Sequence, residues 1–231
     1  MIKKLTALLM SLLMLCSFAA AETVDYSGTW YLVSIESEGV VLNPADIGMA
    51  MTMSLDGDGT GMITITDEED QAVTWTRDGE TITITAEDES LVFVPTDDGK
   101  LIADAEGSIM TFGRETPGPG FVPASEIAAI DIAEFDGTWN ITKVNAYGMV
   151  VPFSAMAEMG MIDGTVLILS GSITSFGAAE AEAGTLTDGK LIVPSPIEGS
   201  FGKSISLLED GTLSVEYMEM IFYCEKAVTT E

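Results

Sequence analysis

Histidine is absent from all 231 residues, and that single absence removes a large share of enzyme chemistry. Without imidazole there is no Ser-His-Asp or Cys-His relay, and the commonest metal ligand and neutral-pH base are missing. Basic residues are scarce as well, nine Lys and Arg against 37 Asp and Glu, for a net charge of −28. Nucleic acid and anionic membrane surfaces are bound by Lys and Arg that neutralise phosphate, so neither is an expected partner. A carboxylate pair could run glycoside hydrolysis, but nothing singles out one pair among 37 acids, and neither enzymatic activity nor a cofactor is expected. Cysteine is limited to Cys16 and Cys224, and long apolar runs to residues 5–18, short of the ~20 residues a bilayer span needs.

That one run follows Lys3-Lys4 and precedes Ala19-Ala20-Ala21, the charged, apolar and small-residue order of a secretory signal peptide. Residues 1–21 are therefore expected to be a signal peptide, with cleavage after Ala21. Lipidation of Cys16 is the competing reading, weakened because Leu15 rather than a small residue precedes it. The leader holds two of the nine basic residues and no acid, so its removal takes the net charge from −28 to −30. A secreted or cell-envelope protein with no membrane insertion is the expectation, its charge serving solubility. Only Cys224 is then left, which excludes an intramolecular disulfide, and its alternation with Phe222 suggests a small buried apolar residue.

The rest of the chain is a tandem duplication. Gly28-Thr29-Trp30 returns as Gly137-Thr138-Trp139, 109 positions later, and Gly39 returns as Gly148 at the same offset. Asp78-Gly79 and Asp98-Gly99 have counterparts in Asp188-Gly189 and Asp210-Gly211, at offsets of 110 and 112. Such slow drift means small loop insertions around a shared scaffold. In the first copy, short runs predict eight strands over 29–35, 51–55, 62–66, 72–77, 81–85, 91–94, 100–103 and 109–114. Several alternate an apolar face with Thr or Ser, as in Ile82 and Ile84 against Thr81, Thr83 and Thr85. Asp-Gly pairs between them suit tight hairpins. Asn43-Pro44 opens one helical turn after the first strand. In the second copy the corresponding place holds a longer helix-like stretch with Phe153, Met156 and Met159 on one face. Pro117, Pro119 and Pro123 mark a linker, followed over 125–132 by a short helix or a coiled lead-in. The expected division is 22–115 for the first domain, 116–133 for linker and lead-in, and 134–231 for the second domain.

A Gly-x-Trp opening the first strand, a short helical turn, an eight-strand meander and a basic residue closing the last strand together resemble the lipocalin superfamily. They are most similar to the short lipocalin-like domains of secreted bacterial proteins. The resemblance implies two tandem, small, antiparallel up-and-down β-barrels, an all-β chain with about eight short strands per barrel. It also implies that Trp30 and Trp139 close one barrel end under Arg114 and Lys226, respectively. The long helix that follows a full lipocalin barrel and the Thr-Asp-x-x-Tyr motif are both lacking. At the level of function it implies non-catalytic carriage of a small apolar or amphipathic molecule. The alternative is a filled pair of barrels acting as a structural or protein-interaction module of the cell envelope, with a cell-surface protein as partner.

Two candidate sites follow. Met49, Met51 and Met53, with Met156, Met159 and Met161 in the second copy, lie near the helical turn where a barrel mouth is expected. Methionine adapts to irregular apolar ligands, but it also fills gaps in small cores. Residues 56–67 place Asp56, Asp58, Thr60 and Asp67 at positions 1, 3, 5 and 12 of a calcium-type loop with Gly61 at 6. The flanking runs alternate as strands rather than helices, so a hairpin turn at Asp58-Gly59 is the simpler reading.

Overall fold

The computed structural model describes residues 24–158, 164–175, 180–195 and 201–228. The expected signal peptide with Cys16, and also Met159 and Met161, lie outside the described residues.

The first sheet is built from β1 (Gly28–Ser37), β2 (Val40–Leu42), β3 (Met51–Leu55), β4 (Thr60–Ile65), β5 (Gln71–Asp78), β6 (Thr81–Ala86), β7 (Glu89–Pro95), β8 (Leu101–Ala105) and β9 (Ser108–Gly113). β1 pairs with β3, each strand from β3 onward pairs with the next in an antiparallel meander, and β9 pairs back onto β1 to close a barrel. β2 pairs only with the far end of β1 and extends the hairpin beyond the wall. The period-two pattern explains the layering. Leu32, Met53, Leu55, Ile82, Ile84, Phe93, Leu101 and Phe112 point inward and are buried, while the threonine face is wet. Among the described residues of the first barrel the one helical element is a 3-10 turn, Pro44–Ile47, in which the Asn43 side chain accepts the Ala45 amide.

The second barrel repeats the plan. Its lead-in is not a helix: β10 (Glu126–Ile127) pairs antiparallel with a strand of the second sheet, and a 3-10 turn, Ile132–Phe135, follows. The Ala129 amide donates to Gly189 O and Glu209 N to Ser125 O, so the segment's backbone groups are paired with the second barrel instead of with one another. The wall comprises β11 (Gly137–Ala146), β13 (Thr165–Leu169), β14 (Ser172–Ser175), β15 (Glu182–Ala183), β16 (Thr185–Thr187), β17 (Lys190–Val193), β18 (Lys203–Leu208), β19 (Leu213–Tyr217) and β20 (Met220–Lys226), with β12 (Met149–Pro152) as the side hairpin on β11. β20 pairs with β11. The sheet's two ends, β15 and β16, are consecutive pieces of chain around Gly184, so one bent strand completes the circle. Helix α1 (Phe153–Glu158) fills the place that the 3-10 turn holds in the first barrel.

Both copies share a feature that period-two reading did not anticipate. The β1–β9 register shifts between Leu32 and Ser34, and the β11–β20 register between Ile141 and Lys143. The unpaired residues, Val33 and Thr142, are again 109 apart. A bulge at the same place bends the first strand so that Trp30 and Leu32 on one side of it, and Ile35 beyond it, can all face the barrel interior.

Candidate functional site

The two ends of the first barrel differ in construction. At one end Trp30 is buried, its indole N–H donating to Tyr26 O at 2.9 Å, and the Arg114 guanidinium carbon lies 3.7 Å from the ring centroid. The expected pairing of tryptophan with a closing cation is therefore present, and it recurs as Lys226 Nζ 5.2 Å from the Trp139 centroid. Above this plug, Phe112 packs edge-on against Phe93 with centroids 5.6 Å apart. Met53 sits opposite Trp30 in the β1–β3 register and is fully buried. That half of the barrel is filled.

The other end is open. A cavity of about 500 Å³ lies there, with Met51, Ile63, Ile84, Leu91 and Phe93 forming its apolar wall and Ala86 at its lip. The wall consists of inward positions at the mouth ends of β3, β4, β6 and β7, above the level at which Phe93 and Phe112 fill the lumen. Glu89, Asp104 and Glu106 line its rim. No residue of the 3-10 turn lines this cavity. The turn packs against β12 of the second barrel, where Asp46 accepts the Phe121 amide and pairs with Lys143 Nζ at 3.6 Å.

The corresponding end of the second barrel is occupied. Helix α1 drives Phe153 and Met156 into the core, and Lys203 is buried in an ion pair with Glu182, its ammonium 5.1 Å from the Tyr217 ring centroid. A depression of about 450 Å³ lies along β17 and β18, lined by Val193, Phe201 and Tyr217 among others.

The methionine candidates thus separate. Met51 lines the cavity, and Met49 is partly buried against the same core. Met53 and Met156 are core filling instead, because their places on β3 and α1 put them beneath the surface a ligand could reach. Ile63, Ile84, Leu91 and Phe93 were missed, although alternation alone marks them as inward residues. What the alternation does not carry is their height along the barrel axis.

The calcium candidate does not assemble. Asp58 Oδ1 accepts the Thr60 amide at 3.0 Å and the Thr60 hydroxyl at 2.6 Å, bonds that hold its carboxyl below the usual pKa and close the β3–β4 turn. Asp56 and Asp58 precede β4 while Asp67 follows it, so the strand's six residues separate them by roughly 20 Å at ~3.3 Å per residue. Among the described residues no group of three or more Cys, Asp or Glu is placed to hold a metal ion. Cys224 is buried in the second core, where desolvation pushes its thiol up to about 12.

No family model, curated protein or solved structure matches the chain.

Proposed function

We propose that this chain is a secreted, non-catalytic lipocalin-like protein that holds a small apolar or amphipathic molecule in the mouth of its first barrel. The observation that carries the reading is the cavity of about 500 Å³ with its aliphatic and aromatic wall, within the size range of small-molecule sites. The stacked Trp30–Arg114 plug at the opposite end supports the lipocalin-like comparison, because it leaves one end for entry. Secretion rests on the leader and on the acidic composition. The second barrel, filled by Phe153 and Met156, favours a scaffold role for that half of the chain.

The test is incubation of the mature protein with a lipid extract, followed by native mass spectrometry. One retained small molecule per chain is expected, and consistently empty protein overturns the reading. Ala86→Phe places a ring at the cavity lip and is expected to abolish retention. Because Ala86 is only partly buried, its melting temperature should stay within a few degrees of the parent.

A further inference from the structure

The first barrel keeps its basic residues at one end of its axis and rims the cavity at the other with carboxylates alone, and we infer from this that the cavity selects a cationic amphiphile, an apolar chain or ring system carrying an ammonium or guanidinium head. The inference rests on the ligand-binding reading above and adds the charge of the ligand's head.

Between residues 24 and 115 there are three basic residues, Arg77, Lys100 and Arg114, and all three sit at the tryptophan end. Each is held there. Arg77 donates to Gly79 O and Val24 O and lies 5.1 Å from the Tyr26 ring centroid. Lys100 pairs with Asp98 at 2.6 Å, and Arg114 covers Trp30. Carboxylates stand at both ends, Asp56, Asp58, Asp78 and Asp98 among those at the tryptophan end, but the mouth-end turns carry no cation to offset theirs. The β4–β5 turn reads Asp-Glu-Glu-Asp over 67–70, the β6–β7 turn Glu-Asp-Glu over 87–89, and Asp104 and Glu106 flank the β8–β9 turn.

These carboxylates are exposed, and none of them takes part in an ion pair among the described residues. Glu89, Asp104 and Glu106 are part of the cavity's own lining, directly above Leu91 and Phe93. Charge of one sign around a low-dielectric recess focuses its field into the opening. An alkyl or aromatic body in the recess would leave a cationic head at the rim, still hydrated and within reach of several carboxylates. An anionic head in the same place would meet repulsion from every turn, and fatty acids are thereby disfavoured despite the apolar wall.

The experiment is displacement of the neutral fluorophore N-phenyl-1-naphthylamine from the full mature chain by three probes of matched length: decyltrimethylammonium, decanol and decanoate. Decyltrimethylammonium is expected to displace it about tenfold more tightly than decanol, with decanoate weakest, and about 0.5 M NaCl should erase most of that spread. The variant Glu89→Gln/Asp104→Asn/Glu106→Gln should bring the cation to the affinity of decanol while leaving decanol unchanged. Equal affinity for all three probes, or a preference that survives the triple substitution, overturns the inference while the cavity reading stands. A fluorophore that does not bind the parent, or that binds Ala86→Phe equally well, overturns the cavity reading and this inference with it.

Discussion

At the scale of single residues, the Gly-x-Trp repeat is explained by what lies over its glycine. Gly28 has φ +99°, and a Cβ built there would stand 2.9 Å from Arg114 Nη1. Gly137 has φ +148°, with the equivalent Cβ 2.9 Å from Lys226 Cε. In both copies the positive φ favours glycine and a side chain there would push the cation from its present place over the indole, which accounts for glycine and tryptophan recurring together. The two locks differ in strength. Arg114 stacks closely and also donates to Asp25 O at 3.2 Å, whereas the Lys226 ammonium is 5.2 Å from its ring centroid. Arginine's planar, weakly hydrated head is the better partner for an aromatic face. Arg114→Ala is therefore expected to cost about 1–2 kcal/mol in urea unfolding and Lys226→Ala about 0.5 kcal/mol, the range for stacked cations. Equal losses would mean that the stacking geometry does not matter to stability.

At the scale of elements, the difference between an open and a filled barrel comes down to which short helix follows the first hairpin. The 3-10 turn Pro44–Ile47 has one buried residue, Pro44, and packs against β12 of the neighbouring barrel as well as against its own β1. Helix α1 instead places Phe153 and Met156 under the second mouth, and Gly164 sits against the Phe153 ring with no room for a side chain. Met156→Ala should destabilise the second barrel by about 2–5 kcal/mol through loss of burial and the void left behind. Phe153→Ala/Met156→Ala, if α1 is what closes that mouth, should raise fluorophore binding from one site per chain to two in a titration. Binding that stays at one site shows that other residues close it. The strands that line both mouths were legible from alternation, since Ile82 and Ile84 or Ile63 and Ile65 can satisfy a pleated sheet in only one way. The cavity was not legible. Its existence depends on whether summed side-chain volumes and one helical turn fill a fixed lumen, and that turn's direction is set by Asp46 and its partners some 75 to 100 residues away in sequence. The methionine candidates divide for the same reason: Met51 and Met53 share a face, and only their height along the axis separates cavity wall from core. The β-bulges at Val33 and Thr142 left no mark beyond one position of skipped alternation.

At the scale of the molecule, the two barrels are joined by a small polar and aromatic clasp in addition to the linker. Phe121, from the proline-bearing segment, stands edge-on to Tyr223 of the second barrel at 4.8 Å, and Lys143 lies 4.5 Å above its ring centroid. Asp46 of the first barrel ties both together, accepting the Phe121 amide and pairing with Lys143, with its side chain 11% exposed. The β12 hairpin lies alongside β2 at the same junction. A charged acceptor so largely removed from water contributes more than a surface pair, about 1.5–3 kcal/mol for the hydrogen bond it accepts. That is enough to couple two small domains whose own stabilities are each only several kcal/mol. The parent should therefore melt in one calorimetric transition. Asp46→Ala/Phe121→Ala removes the carboxylate, the ring and the cation's two partners at once, leaving each barrel's own core untouched. It should split the endotherm into two, with the barrel that holds the open cavity melting first because its mouth end lacks the packing that α1 provides to the other. The same turn that makes the clasp is the one withheld from the first mouth. A split accompanied by weaker fluorophore binding would show that the released turn falls back over the cavity, so that the clasp keeps the site open. A single undivided transition in that variant would show instead that the linker alone couples the barrels and that Asp46 does not hold them together.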